Sequence, residues 1–219
     1  MSHTRPEARD RQLTSPAGPS RSIATPILRS PVYDFASPES YVTLERLAKS
    51  IAAYAPELTP VHGAQLDALP LPDDVARRRH VEELVAQSDI LPVVWPADFP
   101  ELDTTDAVTL ATYAKSIGKV AVFSLSLFRQ IYAAGNDPSE RSTLYLAAAA
   151  SEIHPRAVDQ ALERDRVADA AQEATEHARK AGVSSVPTLR VGTRLFTGPV
   201  LLQDATQVVR SALGGRLDA

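Results

Sequence analysis

Cysteine is absent from the chain. With it go disulfide bonds, thiolate metal sites and any cysteine nucleophile. The absence says nothing about compartment, because a cysteine-free chain survives in either redox setting. Long apolar runs are missing too. The longest, Ile117 to Phe128, is interrupted by Lys119, Ser124 and Ser126 and is too short to cross a bilayer. The first thirty residues mix Arg, Ser, Thr and Pro without a continuous apolar stretch and do not read as a secretory leader. A cytoplasmic protein without a membrane partner is expected. Basic charge is not in excess: the formal net charge is −4, whereas a nucleic-acid binder usually shows a basic face. No glycine-rich phosphate loop, G-x-S-x-G elbow or H-E-x-x-H motif occurs. The five histidines show no paired metal-ligand spacing, so no metal is expected.

What remains is an ordinary globular composition. At 219 residues, 44% hydrophobic and 23% charged, the chain suits one large domain or a domain carrying an insertion. Residues 1–30, with Pro6, Pro16, Pro19 and Pro26 among polar residues, read as a flexible tail, with structure beginning near Ile27 to Pro31. Val32 to Phe35 alternates about Asp34 like a short strand. Ser37-Pro38-Glu39 then supplies an N-cap, a first-turn proline and an acid for the positive helix end. Leu44, Leu47, Ala48 and Ile51 form the apolar stripe of a helix ending near Tyr54. Leu58 to Leu66 reads as a second strand with Pro60 at its start or edge. Asp73 or Asp74 caps a helix through Val75, Val81, Leu84 and Val85. Pro92, Pro96 and Pro100 then mark a loop around Trp95 and Phe99. Helices follow at 103–117 and 121–134, parted near Gly118. Another runs from Asp137-Pro138-Ser139-Glu140 through Leu144 and Leu146. His154-Pro155 starts the next turn, and a long helical stretch, 156–181, ends on Gly182. Thr188 to Val191 and Arg194 to Phe196 are strands joined by a Gly192-Thr193 turn, and a helix over 201–213 closes the chain.

Three segments carry a resemblance. Tyr33-Asp34-Phe35-Ala36-Ser37-Pro38-Glu39-Ser40-Tyr41 resembles the first strand and helix start of 2-hydroxychromene-2-carboxylate isomerases and kappa-class glutathione transferases. Trp95-Pro96-Ala97-Asp98-Phe99-Pro100 resembles their substrate-side loop. Ala181 to Thr188, with Val191-Gly192 and Leu195 to Gly198, resembles the cis-proline loop and hairpin of the wider DsbA superfamily. Phe128 to Tyr132 with Gly135-Asn136-Asp137 is similar to an inserted helix of that family. The resemblance implies an α/β, thioredoxin-like fold with an inserted all-helical subdomain. Residues 31–68 and 183–214 would form the thioredoxin-like part and 69–182 the insertion. It also implies a cis Val186-Pro187 bond, and a homodimer as the expected assembly.

The implied chemistry is a thiol-dependent cis–trans isomerisation of a small unsaturated acid, with the thiol borrowed from a cofactor, glutathione or another low-molecular-weight thiol. In this reading Ser37 is catalytic and, with Pro38, Val186 and Pro187, binds the thiol. Ser40, Tyr41, His62 and Trp95 face the substrate. A thiol S-transferase at the same site, and a redox-inactive binding protein or thiol-independent enzyme, are the alternatives. Two segments depart from the family pattern. Gly198 is followed by Pro199-Val200-Leu201 without an acid, and His62 to Ala68 lacks the usual Asn and Lys. The residues themselves leave roles open. Ser37 serves equally as a helix cap, and Ser40 as a solvated first-turn residue. Tyr41 fits a core or pocket wall, and His62 a catalytic base or a plain strand residue. Trp95 fits a core anchor or a pocket lining, and Asp34 a buried functional carboxylate or an edge position. His80, His154 and His177 read as surface or helix-start residues.

Overall fold

The structure, a computed structural model, describes residues 28–50, 57–66, 73–191 and 194–198. The expected end of the first helix near Tyr54, the Gly192-Thr193 turn, the helix over 201–213 and all but the end of the tail lie outside the described residues. Among the described residues, four strands form one mixed sheet in the order β2-β1-β3-β4.

β1 (Leu28–Tyr33) starts earlier and stops sooner than the expected 32–35, and it takes in residues 28–30 assigned to the tail. The backbone of 28–30 is held by β3 (Thr188–Val191), where Leu28 and Arg29 lie antiparallel to Val191 and Arg190. The register shifts between Arg29 and Val32, at Pro31, which has no N–H for the ladder. The strand ends because Asp34 turns the chain. Its Oδ1 accepts from the Ala36 amide at 3.1 Å, and its carbonyl accepts from the Ser37 amide at 3.2 Å. Val32, Tyr33, Asp34 and Phe35 are all buried, so the alternation expected of a half-exposed strand is lost on a strand covered on both faces.

α1 (Pro38–Ser50) follows directly. β2 is only Thr59–Pro60, not the expected 58–66, and pairs parallel to β1 at its edge. After Val61, whose amide still reaches the Tyr33 carbonyl at 2.9 Å, the chain bends into a 3-10 turn, Gly63–Gln65. The bend follows from the Gly63 amide, which bonds the Asp34 carboxylate at 2.6 Å instead of a neighbouring strand. A Cβ at Gly63 would meet Asp34 Oδ2 at 2.7 Å. Gly63→Ala is expected to cost about 1–3 kcal/mol, as overpacking does, read as a lowered urea midpoint.

The insertion is α2 (Asp74–Ala86), α3 (Thr105–Ser116), α4 (Val120–Tyr132), α5 (Arg141–Ala150), α6 (Pro155–Leu162) and α7 (Asp165–Lys180). Asp73 caps α2 by accepting from the Ala76 amide, and His154 caps α6 through its ring. Gly118, at φ +73°, turns the chain between α3 and α4. The single stretch expected over 156–181 is two helices, with Arg164 extended between them. No glycine or proline marks this break. Packing imposes it: α6 lies on α3 and α5, while α7 lies on α3 and β2. The aromatic core, with Tyr33, Phe35, Tyr41, Phe128 and Tyr132 fully buried, joins sheet, α1 and insertion. A smaller cluster of Val32, Val61, Leu66, Ala178 and Val183 seats α7, and Val186 packs against it.

Candidate functional site

Two chain segments converge on one end of the sheet. β1 feeds the turn at residues 34–37, and β3 begins opposite it, with Val32 paired to Thr188. The Val186-Pro187 peptide that precedes β3 is cis, as is Phe99-Pro100 in the insertion. Pro187 is buried and shares a cavity of about 10 Å³ with Thr43 of α1, Pro31 of β1 and Phe196 of β4 (Arg194–Thr197), room for about one water. α1 and the cis-proline peptide are therefore neighbours.

Ser37 is the N-cap of α1. Its Oγ accepts from the Ser40 amide at 3.1 Å and donates to Glu39 Oε2 at 3.0 Å, and it is buried. Pro38 is buried at the first helical position. Glu39 is in turn gripped by Arg77 of α2, through Nε at 2.7 Å and one terminal nitrogen at 2.6 Å. Burial pushes the Glu39 pKa up, but the Arg77 fork and charge outweigh it, and the net shift is downward. The Arg77 guanidinium lies 5.5 Å from the Phe99 ring, and that of Arg78 lies 4.8 Å from both Phe99 and Trp95. A chain of contacts thus runs from the Ser37 hydroxyl through Glu39 and Arg77 to the aromatic loop.

Ser40, expected on a solvated turn if not in a substrate site, is fully buried. It stands three residues before Thr43, on the same helix face, and Thr43 faces Pro187 across the small cavity. Among the described residues, neither Ser40 Oγ nor Thr43 Oγ1, both buried, has a hydrogen-bond partner. Tyr41 turns the other way. It stacks on Tyr132 with centroids 5.8 Å apart, and its hydroxyl donates to the Leu91 carbonyl at 3.0 Å. Burial pushes its pKa up to about 12, so it stays a neutral wall of the core. Trp95 is half-buried, packed at 4.7 Å on Phe99, with its Nε1 donating to Glu82 at 2.7 Å. Tyr41 and Trp95 both contact Tyr132 and form a second group, separate from Ser37, Ser40 and Pro187.

His62 sits at the end of β2, half-buried, with its amide donating to Thr175 Oγ1 at 3.0 Å. Burial lowers its pKa, against the pull of the Asp34 and Asp103 carboxylates. Asp34 is no edge residue. It is 4% exposed and accepts from Ala36, Gly63 and Thr104 Oγ1, the last at 2.9 Å. Burial nevertheless raises its pKa. His80 and His177 are exposed, as is the cap His154.

Arg77 is not among the site residues expected from the sequence. The signal was available: Arg77 falls four, seven and eight residues before Val81, Leu84 and Val85, on their buried stripe.

A family profile described as a DSBA-like thioredoxin domain matches residues 31–209. No curated protein matches the sequence. Among solved structures, a 2-hydroxychromene-2-carboxylate isomerase aligns with a TM-score of 0.70 at 19% identity, covering 87% of this chain and 98% of that one. A probable DsbA oxidoreductase from Streptomyces coelicolor aligns at 0.64 and 18% identity, covering 85% and 90%. The cytosolic disulfide reductase DsbM from Pseudomonas aeruginosa, in a structure with GSH, aligns at 0.60 and 15%, covering 88% and 99%.

Proposed function

Because the chain belongs to the DSBA-like thioredoxin domain family yet has no cysteine, we propose that it is a thiol-cofactor-dependent cis–trans isomerase of a small unsaturated acid. The observation that carries this reading is the unpartnered Ser40 hydroxyl, fully buried at the serine-capped tip of α1. Buried polar atoms are almost always paired, and an orphan one turn before Thr43, which lines the cavity beside Pro187, suits a polar ligand. The residues fit a small thiol in kind. The tip offers two hydroxyls, and the first-turn dipole of α1 favours an anion.

A bound thiol, glutathione or a related molecule, supplies the nucleophile that adds to a conjugated double bond and leaves after rotation about it, with no net oxidation or reduction. Ser37 stabilises negative charge at the helix tip by turning its hydroxyl from Glu39 toward the ligand. Arg77 then holds the Glu39 carboxylate alone. Val186 aligns the ligand by its backbone, and the Phe99 ring backs the Arg77 guanidinium. His62, held neutral by burial, is available to accept a proton near Asp34. The same reading takes the chain to be cytoplasmic.

The test is an absorbance assay with 2-hydroxychromene-2-carboxylate, the compound named for the isomerase neighbour, with glutathione, with mycothiol and with no thiol. Turnover only with a thiol is expected. Ser37→Ala should lower kcat by about tenfold or more, the scale of a lost charge-stabilising hydrogen bond, while costing about 1 kcal/mol of stability as a lost cap. Transfer of the thiol to an electrophile in place of isomerisation would reassign the chain to the transferases.

One observation favours a second reading. The Ser37 hydroxyl is already satisfied as donor and acceptor, and Glu39–Arg77 fills the space beside it. In that reading the chain is a redox-inactive binding protein, and no thiol produces turnover.

A further inference from the structure

A cavity of about 580 Å³ lies between the second half of α1, the end of α3 and the start of α4. It is well within the size range of small-molecule sites. It stands far from the serine turn: at about 1.5 Å per residue, Ala48 is roughly 15 Å along α1 from Ser37. Leu44, Leu47, Leu58, Val120 and Leu125 make its walls apolar, and among the described residues its charged lining groups are Lys115 and Glu57.

Lys115 is half-buried at the end of α3. Its Nζ donates to Thr59 Oγ1 at 2.8 Å, and among the described residues no carboxylate pairs with it. An ammonium carries three donors, and one neutral hydroxyl satisfies only one. Burial lowers the Lys115 pKa, with Glu57 pulling in the opposite direction. A partly desolvated cation facing an apolar chamber is the arrangement that an anion with an apolar body completes. The first turn of α4 adds positive potential to the same wall, and its N-cap, Lys119, provides no side-chain hydrogen bond to it. Glu57, exposed beside the cavity, opposes a second negative charge.

We propose that this cavity binds a small apolar monocarboxylate, its carboxylate on Lys115 Nζ and its hydrocarbon body against Leu44, Leu47, Val120 and Leu125. Lys115, the one cation among the described lining residues, and the neighbouring Glu57 select a monoanion over a phosphate or dicarboxylate. The site is independent of the thiol reading and shares no residue with it.

Calorimetry on the full chain tests this with phenylbutyrate and its uncharged analogue phenylbutanol. Phenylbutyrate should saturate and bind more tightly than the alcohol. Lys115→Met should weaken the acid about tenfold or more and leave the alcohol unchanged. Ala121→Trp, which fills the chamber, should remove both, and Ser37→Ala should change neither. No saturable binding, equal affinity for acid and alcohol, indifference to Lys115→Met, or loss on Ser37→Ala would each overturn the proposal.

Discussion

Asp34→Ala should destabilise the fold by about 3 kcal/mol. The carboxylate is the one acceptor shared by the Ala36 amide, the Gly63 amide and the Thr104 hydroxyl. Removing it leaves buried donors without partners, at roughly 1–3 kcal/mol for each that cannot reach water. The desolvation that raises the Asp34 pKa offsets part of that loss, because the charge itself is costly to bury. In a chain of this size the change should lower Tm by about 10 °C. Asp34→Asn should fall between. Its amide oxygen still accepts from Ala36 and Thr104, but its NH2 confronts the Gly63 N–H. The pH dependence has a definite sign. A folded pKa above the unfolded value means the fold binds the proton more tightly. The resulting stability is present below the unfolded carboxylate value of about 4 and is lost as pH rises through the raised folded pKa. Urea midpoints measured across that window should fall with rising pH in the wild type, and this component should vanish in Asp34→Asn. An Asp34→Ala protein as stable as the parent would contradict the account.

Arg77→Ala should cost a similar amount, about 3 kcal/mol, by a different route. Its side chain and that of Glu39 are 8% and 16% exposed, so truncating the arginine strands a buried carboxylate. Glu39→Gln in the Arg77→Ala background should restore part of the loss, since the neutral amide no longer needs a cation. Here the pH sign is opposite. The folded pKa of Glu39 is depressed, so its stabilisation is present above the unfolded carboxylate value and is lost as pH falls through the folded one. Asp34 and Glu39 thus tilt the stability curve in contrary directions, and each variant exposes the slope of the other. Chemical denaturation of the single and double variants separates them. Equal stability of Arg77→Ala and its double variant would show that Glu39 is not stranded.

Much of the site could be read from residue types because it is local. Ser37-Pro38-Glu39 spells a helix start whatever the fold, and the structure puts the cap at Ser37. The cis Val186-Pro187 bond came from the family likeness of its loop, and it is present. Properties set by distant partners were not legible. β2 stops after two residues because the Asp34 carboxylate, from the turn after β1, takes the Gly63 amide, and no pattern in 58–66 signals that competitor. Ser40 is polar and follows a helix start, so it reads as solvated. Its burial is set by tertiary packing and not by the local sequence. The break at Arg164 is likewise invisible, since no local residue forbids helix there and packing on different neighbours decides it. Arg77 is charged by type but internal by position, since the helical period puts it on the stripe of Val81, Leu84 and Val85.

The sheet joins the beginning of the described chain to its end: Leu28 lies opposite Val191, with every helix of the insertion between them in sequence. On a ribosome, β1 has no antiparallel partner until α7 has already emerged. The helices, rich in near-neighbour contacts, can form early, whereas the central strand must wait through most of synthesis with one edge bare. For this architecture translation order makes sheet closure the last event, and an unpaired β1 is the segment a nascent chain most needs to keep from other strands.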